Sequence, residues 1–221
     1  MDLVEKVEEI IRRLKKLYPE PKLELEFENS FQLLVMSIMA AQESDRKVNQ
    51  TAKELFTELK EPAHFALLEV EDLARRISRV RWNYQKAEWI IKCCQSLVEN
   101  YGGKVPDEVD ELVKLPGVGR KTANMVVGGA FGRPAIIADR HFIRVANRLG
   151  LTKEKTPEKV EKDLASKIPP EYWLDLSLLL IEHGKKVCKA KNPLCEEKCP
   201  LTDLCECYQK TKCSEVRTKK N

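Results

Sequence analysis

A glycine-containing turn followed at once by two basic residues is the clearest candidate for chemistry in this chain of 221 residues. The turn consists of Pro116, Gly117, Val118 and Gly119. Its glycines permit a tight turn whose backbone can approach a ligand closely, and the free amides at the start of the next helix can bind an anion. We therefore predict a phosphate-binding hairpin between two helices. A plain turn without a ligand is the commoner meaning of a lone Gly-x-Gly.

Arg120 and Lys121 open the helix that follows this turn. A lysine amine is a nucleophile only when it is neutral, and both the positive end of the helix dipole and the neighbouring Arg120 favour the neutral form. Lys121 is thus suited to Schiff-base chemistry. For any single lysine, however, contact with a phosphate is the commoner role.

Cysteines form the second candidate site, since six of the eight lie in the last 34 residues. Four of them have the spacing Cys188-x6-Cys195-x3-Cys199-x5-Cys205, with Cys207 and Cys213 following. The charged, periodic N-terminus lacks the features of a secretion signal, so we expect metal binding rather than disulfides. The spacing alone suits a four-cysteine zinc site and an iron-sulfur cluster equally. Cys93 and Cys94 are expected to pack in a helix.

Composition limits the classes of protein to which the chain can belong. Hydrophobic residues make up 43% and charged residues 33%, as in an ordered globule. The most apolar run, Leu33 to Ala41, is much too short to cross a bilayer, so no membrane association is expected. The net charge of +4 is uneven, with basic surpluses in residues 111–150 and 181–221. Two basic blocks predict a polyanionic partner.

Helical periodicity dominates the chain, and strand signals are nearly absent. The spacing of apolar residues, with proline, glycine and capping residues at the ends, predicts an all-α fold with short connections. We expect Asp45 to cap the third helix. The predicted helices are residues 2–18, 30–41, 46–59, 70–78, 85–101, 107–113, 120–131, 140–149, 158–168 and 171–184.

The turn and the two basic residues lie in the segment LPGVGRKTANMVVGGAFGRPAIIADRHFIRVANRLGL. Four other segments are informative beside it, namely LLVMSIMAAQESDRKVN, KAEWIIK, GGKVP and IEHGKKVCKAKNPLC. Together these segments resemble the helix-hairpin-helix DNA glycosylases, and specifically the endonuclease III family, and the resemblance extends over almost the whole chain. It implies a two-lobed fold with a DNA-binding cleft between the lobes. Residues 23–133 would form a six-helix barrel bearing the hairpin, and residues 1–22 with 134–221 would form an iron-sulfur cluster domain.

The resemblance also implies roles for individual residues. Lys121 would attack C1′ of the damaged nucleotide, and Asp139 would be its buried catalytic partner, stabilising the sugar cation. Asp139 taken alone reads as the cap of the helix that begins at Arg140. Gln42 would fill the gap left by the flipped nucleotide. Trp82 stands where the family usually has an aliphatic wedge, and a role as a core or loop anchor is an equally good reading.

For the cysteines, the resemblance implies one 4Fe-4S cluster. Its ligands would be Cys188, Cys195, Cys199 and Cys205. The family usually has two residues between the middle ligands where this chain has three, so Cys207 is an alternative to Cys205. Lys189 and Lys191 lie in the loop after the first ligand and would meet phosphates. His183 is interpreted as a helix-end residue near the cluster rather than a ligand.

The implied function is that of a bifunctional enzyme, a DNA glycosylase and abasic-site lyase acting on oxidised pyrimidines in double-stranded DNA. A first alternative is a relative of other specificity, either a mismatch thymine or uracil glycosylase or an adenine glycosylase. Monofunctional relatives generally lack the lysine, and adenine glycosylases usually have an additional C-terminal domain. A second alternative is a noncatalytic protein that uses the hairpin only to bind DNA. We expect a monomer that is cytoplasmic or associated with the nucleoid.

Overall fold

The computed structural model describes residues 1–210, and within them all regular secondary structure is helical. This confirms the predicted all-α class. The α-helices are α1 (Leu3–Leu17), α2 (Ser30–Met39), α3 (Asp45–Glu58), α4 (Pro62–Ala66), α5 (Val70–Arg76), α6 (Asn83–Tyr101), α7 (Val109–Leu112), α8 (Arg120–Phe131), α9 (Arg140–Leu149), α10 (Pro157–Ala165), α11 (Trp173–Lys186) and α12 (Cys195–Lys198). A short 3-10 turn, Pro170–Tyr172, precedes α11.

The chain divides into two compact units. The central unit comprises Leu23–Arg133 and contains α2 to α8. The terminal unit joins Met1–Lys22 to the chain from Pro134 onward and contains α1 and α9 to α12.

Helix α2 is the core of the central unit. Every residue from Leu33 to Met39 is buried, as its almost continuous apolar sequence requires. It packs against α3, α6 and α8. Phe31 at its start meets Phe65 of α4 edge to face, with 5.4 Å between the ring centroids. The unit thus surrounds one buried helix and holds the hairpin before α8 by packing α8 against α2.

The terminal unit is built on α11, which packs against both α1 and α9. Helix α1 begins with a capping box, in which Asp2 and Glu5 each accept the other's backbone N–H. Its apolar stripe is buried in a core shared with α9, α10 and α11. The same core includes Cys188 and Cys205, so the cysteine-rich segment is anchored to the helices rather than appended to them.

Some of the predicted helix boundaries were wrong. Asp45 is the first residue of α3 and not its cap, because the cap position is Ser44, which makes no side-chain capping bond. Two short helices, α4 and α12, were not predicted, since four or five residues carry too little periodicity. No helix among the described residues is long and apolar enough to span a membrane.

Candidate active site

The predicted hairpin is present, and its two glycines have different structural roles. Gly117 has a φ of +76°, and a Cβ added there would lie 2.6 Å from Cβ of Trp89 on α6. Gly119 has a φ of −87° and open space where its Cβ would be. Gly117 therefore lets the turn pack on α6, whereas Gly119 leaves the outer face of the turn bare.

Lys121 is the second residue of α8 and is exposed. The cap position, Gly119, has no side chain, so no side-chain acceptor from it covers the first amides of this helix. Arg120 lies 3.5 Å from the Asp110 carboxylate. The hairpin thus places amides that lack a side-chain cap, the Arg120 guanidinium and the exposed amine of Lys121 at one helix N-terminus, which suits an anionic ligand.

Asp139 caps α9, as the sequence predicts. Its Oδ1 accepts the backbone N–H groups of His141 and Phe142, both at 2.7 Å. The side chain is half-buried rather than buried, which corrects that part of the prediction. Because both bonds use one oxygen of a capping residue, the carboxylate is held in one orientation. Asp139 belongs to the terminal unit and Lys121 to the central unit.

Gln42 and Trp82 both lie on the surface of the central unit. Gln42 is exposed in the turn after α2, and Trp82 is 67% exposed at the cap position of α6. The exposure of Trp82 excludes the core-anchor interpretation. Trp89, which supports the hairpin, lies seven residues further along α6, or roughly 10 Å along the helix axis. Helix α6 therefore carries Trp82 at its N-cap position and, two helical turns further on, supports the backbone at Gly117 through Trp89.

Five cysteines line one cavity of about 190 Å³ in the terminal unit. They are Cys188, Cys195, Cys199, Cys205 and Cys207. None of them is in a disulfide. Within residues 1–210, no three histidine, cysteine or acidic side chains converge as a site for a single metal ion does. The shared cavity offers several thiols around a space large enough for a group of many atoms, which fits a cluster.

The extra residue between the middle cysteines is accommodated in α12. Cys195 begins this single helical turn and Cys199 caps it, a four-residue separation that places the two side chains on the same side of the turn. Cys205 is buried and Cys207 is exposed. Burial favours Cys205 over Cys207 as a ligand. Cys213 lies outside the described residues.

Two arginines of α9 hold the segment that begins at Cys188. Arg144 donates to the backbone carbonyls of Cys188, at 3.0 Å, and Gly184, at 2.8 Å. Arg148 donates to the carbonyl of Lys189 at 2.7 Å and to Sγ of Cys188 at 3.2 Å. The exposed side chain of Lys189 is thus displayed on a segment fixed to α9, the helix that Asp139 caps.

His183 lies beside the cysteines, as the sequence interpretation has it. It is buried, and its Nε2 is 3.4 Å from Sγ of Cys199. Its Nδ1 is 3.3 Å from the Tyr18 hydroxyl of the segment after α1. The imidazole therefore connects the cysteine segment to the N-terminal helix.

Sequence reasoning did not identify Arg144, Arg148 or Trp89. The two arginines did leave a signal, because with Arg140 they recur every four residues and so share one face of α9. Trp89 left none, since it is one aromatic residue in an amphipathic helix.

Comparison with known proteins agrees with this geometry. The HhH-GPD superfamily of base excision DNA repair proteins matches residues 35–170. Endonuclease III of Thermotoga maritima is 38% identical over 96% of this chain and 98% of its own. Endonuclease III of Bacillus subtilis is 41% identical over 94% of both chains.

A solved structure shows the same likeness in three dimensions. It is a trapped covalent intermediate of an endonuclease III with DNA, 38% identical, with a TM-score of 0.87, covering 96% of this chain and 100% of that one. The fold and the hairpin define a base excision repair protein of the helix-hairpin-helix class. The chain belongs to the HhH-GPD superfamily and, within it, to the endonuclease III family.

Proposed function

We propose that this protein is a base-excision repair DNA glycosylase with abasic-site lyase activity, and that its substrates are oxidised pyrimidines in double-stranded DNA. The observation that carries the proposal is the exposed Lys121 at the start of α8, directly after a turn with open space at Gly119. A relative matching nearly the whole chain has been captured as a covalent intermediate with DNA, which supports a nucleophilic mechanism. We expect the protein to act in the cytoplasm or at the nucleoid.

The proposed reaction begins with the neutral amine of Lys121. Its lone pair attacks C1′, the glycosidic bond breaks, and the base leaves with that bonding pair and takes up a proton. The attached amine gives up a proton, the C1′–O4′ bond breaks, and O4′ takes up a proton as the sugar ring opens, which leaves a Schiff base between Nζ and C1′. Loss of a proton from C2′ then expels the 3′ phosphate by β-elimination. Water hydrolyses the imine and restores the lysine.

Asp139 is proposed to stabilise the positive charge that develops on the sugar as the base leaves. A carboxylate whose orientation is fixed before the reaction stabilises such charge without having to reorganise. The two backbone hydrogen bonds to Oδ1 supply this fixed orientation.

DNA binding is proposed to use two basic surfaces, one in each unit. In the central unit, the turn of Pro116, Gly117, Val118 and Gly119 would meet phosphates with its backbone at the open face of Gly119, and Arg120 would follow. In the terminal unit, Lys189 and Lys191 would do the same from a segment that Arg144 and Arg148 already hold, so little entropy is lost on binding. Gln42 and Trp82 would enter the space vacated when the damaged nucleotide leaves the stack.

We further propose one 4Fe-4S cluster, held by Cys188, Cys195, Cys199 and Cys205. The cavity that these thiols share supports this assignment, as does the burial of Cys205. When bound, the cluster would act as a structural cross-link of the C-terminal segment. The test is the iron and sulfide content of protein purified anaerobically. Cys205→Ser should lose both, and Cys207→Ser should retain both; the reverse result would reassign the fourth ligand.

The function is tested by incubating the protein with a panel of duplexes. These carry an oxidised pyrimidine, an abasic site, or a thymine or uracil mispaired with guanine, and both released base and strand cleavage are measured. We expect base release coupled to cleavage on the oxidised pyrimidine, and cleavage at the abasic site. Base release without cleavage would favour a monofunctional mismatch glycosylase, and binding without either product would favour a noncatalytic binder.

A further inference from the structure

The two residues proposed to enter the duplex share an uncommon backbone conformation. Gln42 has a φ of +56° and Trp82 a φ of +60°. Among the described residues, Asn192 is the third and last non-glycine residue with positive φ. This left-handed region is unfavourable for side chains other than glycine, and such residues persist where surrounding contacts hold them.

One carboxylate joins the two turns. Oε1 of Glu43 accepts the backbone N–H of Ser44 at 3.0 Å, and Oε2 accepts the backbone N–H of Arg81 at 3.0 Å. Glu43 follows Gln42 directly, and Arg81 directly precedes Trp82. The Glu43 side chain is only 4% exposed. These backbone bonds lower the pKa of Glu43 to about 2, so the carboxylate is ionised at neutral pH.

A buried lysine makes the second connection. Lys86 is 1% exposed, and its Nζ donates to the carbonyls of Met39 and Ala41, both at 2.7 Å. These carbonyls lie at the C-terminal end of α2 and immediately before Gln42, where a cation is favoured by the helix dipole. The backbone N–H of Lys86 bonds the carbonyl of Trp82 at 2.9 Å, so the same residue closes the first turn of α6.

We propose that Glu43 and Lys86 are positioning residues that lock the Gln42 turn and the Trp82 turn into one two-pronged wedge before DNA arrives. The proposal rests on the proposed function, in which both prongs enter the duplex. Extruding a nucleotide already consumes the free energy of unstacking and unpairing. A wedge whose two turns are already fixed in the free protein loses little backbone conformational entropy as it enters, so both prongs fill the gap together.

The sharpest perturbation is Glu43→Gln, which preserves shape and alters the hydrogen bonding. In Glu43 the two bonds use different oxygens, and in a glutamine one of these positions is an NH2 group that cannot accept, so the bond to Ser44 or the bond to Arg81 is lost. Glu54→Gln is the matched control, because Glu54 pairs with the Arg79 guanidinium on the exposed surface of the same unit, with 2.6 Å between the charged groups. Both variants use the full chain purified anaerobically.

Two substrates separate wedge insertion from chemistry. The first is a duplex with an oxidised pyrimidine, which requires flipping; the second is a single strand with an abasic site, which requires Lys121 but no flipping. We expect Glu43→Gln to slow single-turnover cleavage of the duplex roughly tenfold and to leave the single-strand rate within about twofold. Glu54→Gln should leave both rates within about twofold.

The outcomes distinguish this inference from the proposed function. If wild-type protein cleaves neither substrate, the proposed function fails. If wild type cleaves both and Glu43→Gln slows both equally, or slows neither, the positioning role is overturned. A purely structural role for Glu43 is tested by combining Glu43→Gln with Trp82→Ala. Removal of one prong should shrink the effect of Glu43→Gln on the duplex, whereas undiminished, additive losses would overturn the proposal.

Lys86 supplies an independent measurement. A duplex with 2-aminopurine opposite a noncleavable abasic-site analogue reports, as a change in fluorescence, how the wedge disturbs the stack. Lys86→Met should bind this duplex with a diminished change at saturation, while Lys92→Met, altered on the same helix at an exposed ion pair with Glu88, should match wild type. An unchanged signal from folded Lys86→Met would contradict the proposal.

Discussion

The two glycines of the hairpin should respond in opposite ways to the same substitution. Gly117→Ala places a Cβ at 2.6 Å from Cβ of Trp89, on a backbone with a φ of +76°. The left-handed conformation costs an alanine about 1–2 kcal/mol, and overpacking adds about 1–3 kcal/mol. We therefore expect a total loss of roughly 2–5 kcal/mol in the free energy of unfolding. At Gly119 the new methyl group meets open space, and the change should stay within about 1 kcal/mol.

The assay is thermal and urea unfolding followed by circular dichroism, with DNA binding measured below the transition. A loss of about 3 kcal/mol corresponds to a decrease of roughly 6–12 °C in Tm for a chain of this size. Gly119→Ala should shift its Tm by no more than roughly 2–4 °C but bind an abasic-site duplex more weakly, since its methyl group lies where phosphate would approach. Equal Tm values for the two variants would refute the packing argument. Full DNA affinity in Gly119→Ala would refute the assignment of that face to phosphate.

Three further outcomes follow from the structure. Asparagine caps helices as well as aspartate does, so Asp139→Asn should keep the Tm and lose at least about 100-fold in cleavage rate, whereas Asp139→Ala should also lose about 1 kcal/mol of stability. Because Glu43 has a pKa of about 2 in the folded protein against an ordinary 4.5, its contribution is complete above pH 4.5 and is lost as pH falls toward 2. In urea titrations, Glu43→Gln should thus be less stable than wild type by a constant amount from about pH 8 to 5, with the gap closing at lower pH while Lys47, Lys86 and Arg81 stay charged. A difference in stability between wild type and Glu43→Gln that grows as the pH falls would contradict this reasoning. Burial raises the pKa of the Cys93 thiol to about 12, so alkylating reagents followed by mass spectrometry should find Cys93 modified only after denaturation.

Helices bounded by strong local signals were the predictable part of the fold. The predicted bounds of α8 and α9 match the structure, because Gly119 and Gly132 border one helix and Asp139 and Gly150 the other. The start of α3 was wrong, since Ser44 and Asp45 are adjacent residues with similar capping preference and only the surrounding chain selects between them.

The residues of the candidate site likewise fall into two groups, those that local sequence signals indicate and those whose role depends on partners distant in the sequence. The sequence indicates Lys121 and the cysteines as candidates because their signals are local, either a turn before a helix or a repeated residue at short spacing. Glu43 and Lys86 were missed because their partners lie 38 to 47 residues away in the sequence. A glutamate in a connection between helices and a lysine in an amphipathic helix read as solvated charges, and only the folded backbone reveals that they connect two turns.

Covalent trapping at Lys121 tests the central claim most directly. The protein is incubated with a duplex containing one abasic site, borohydride is added to reduce any Schiff base, and the cross-linked peptide is mapped by mass spectrometry. The account predicts a stable adduct on Lys121, absent in Lys121→Ala, while that variant still binds the duplex. An adduct on another residue, or no adduct in a wild-type protein that binds the duplex, would contradict it.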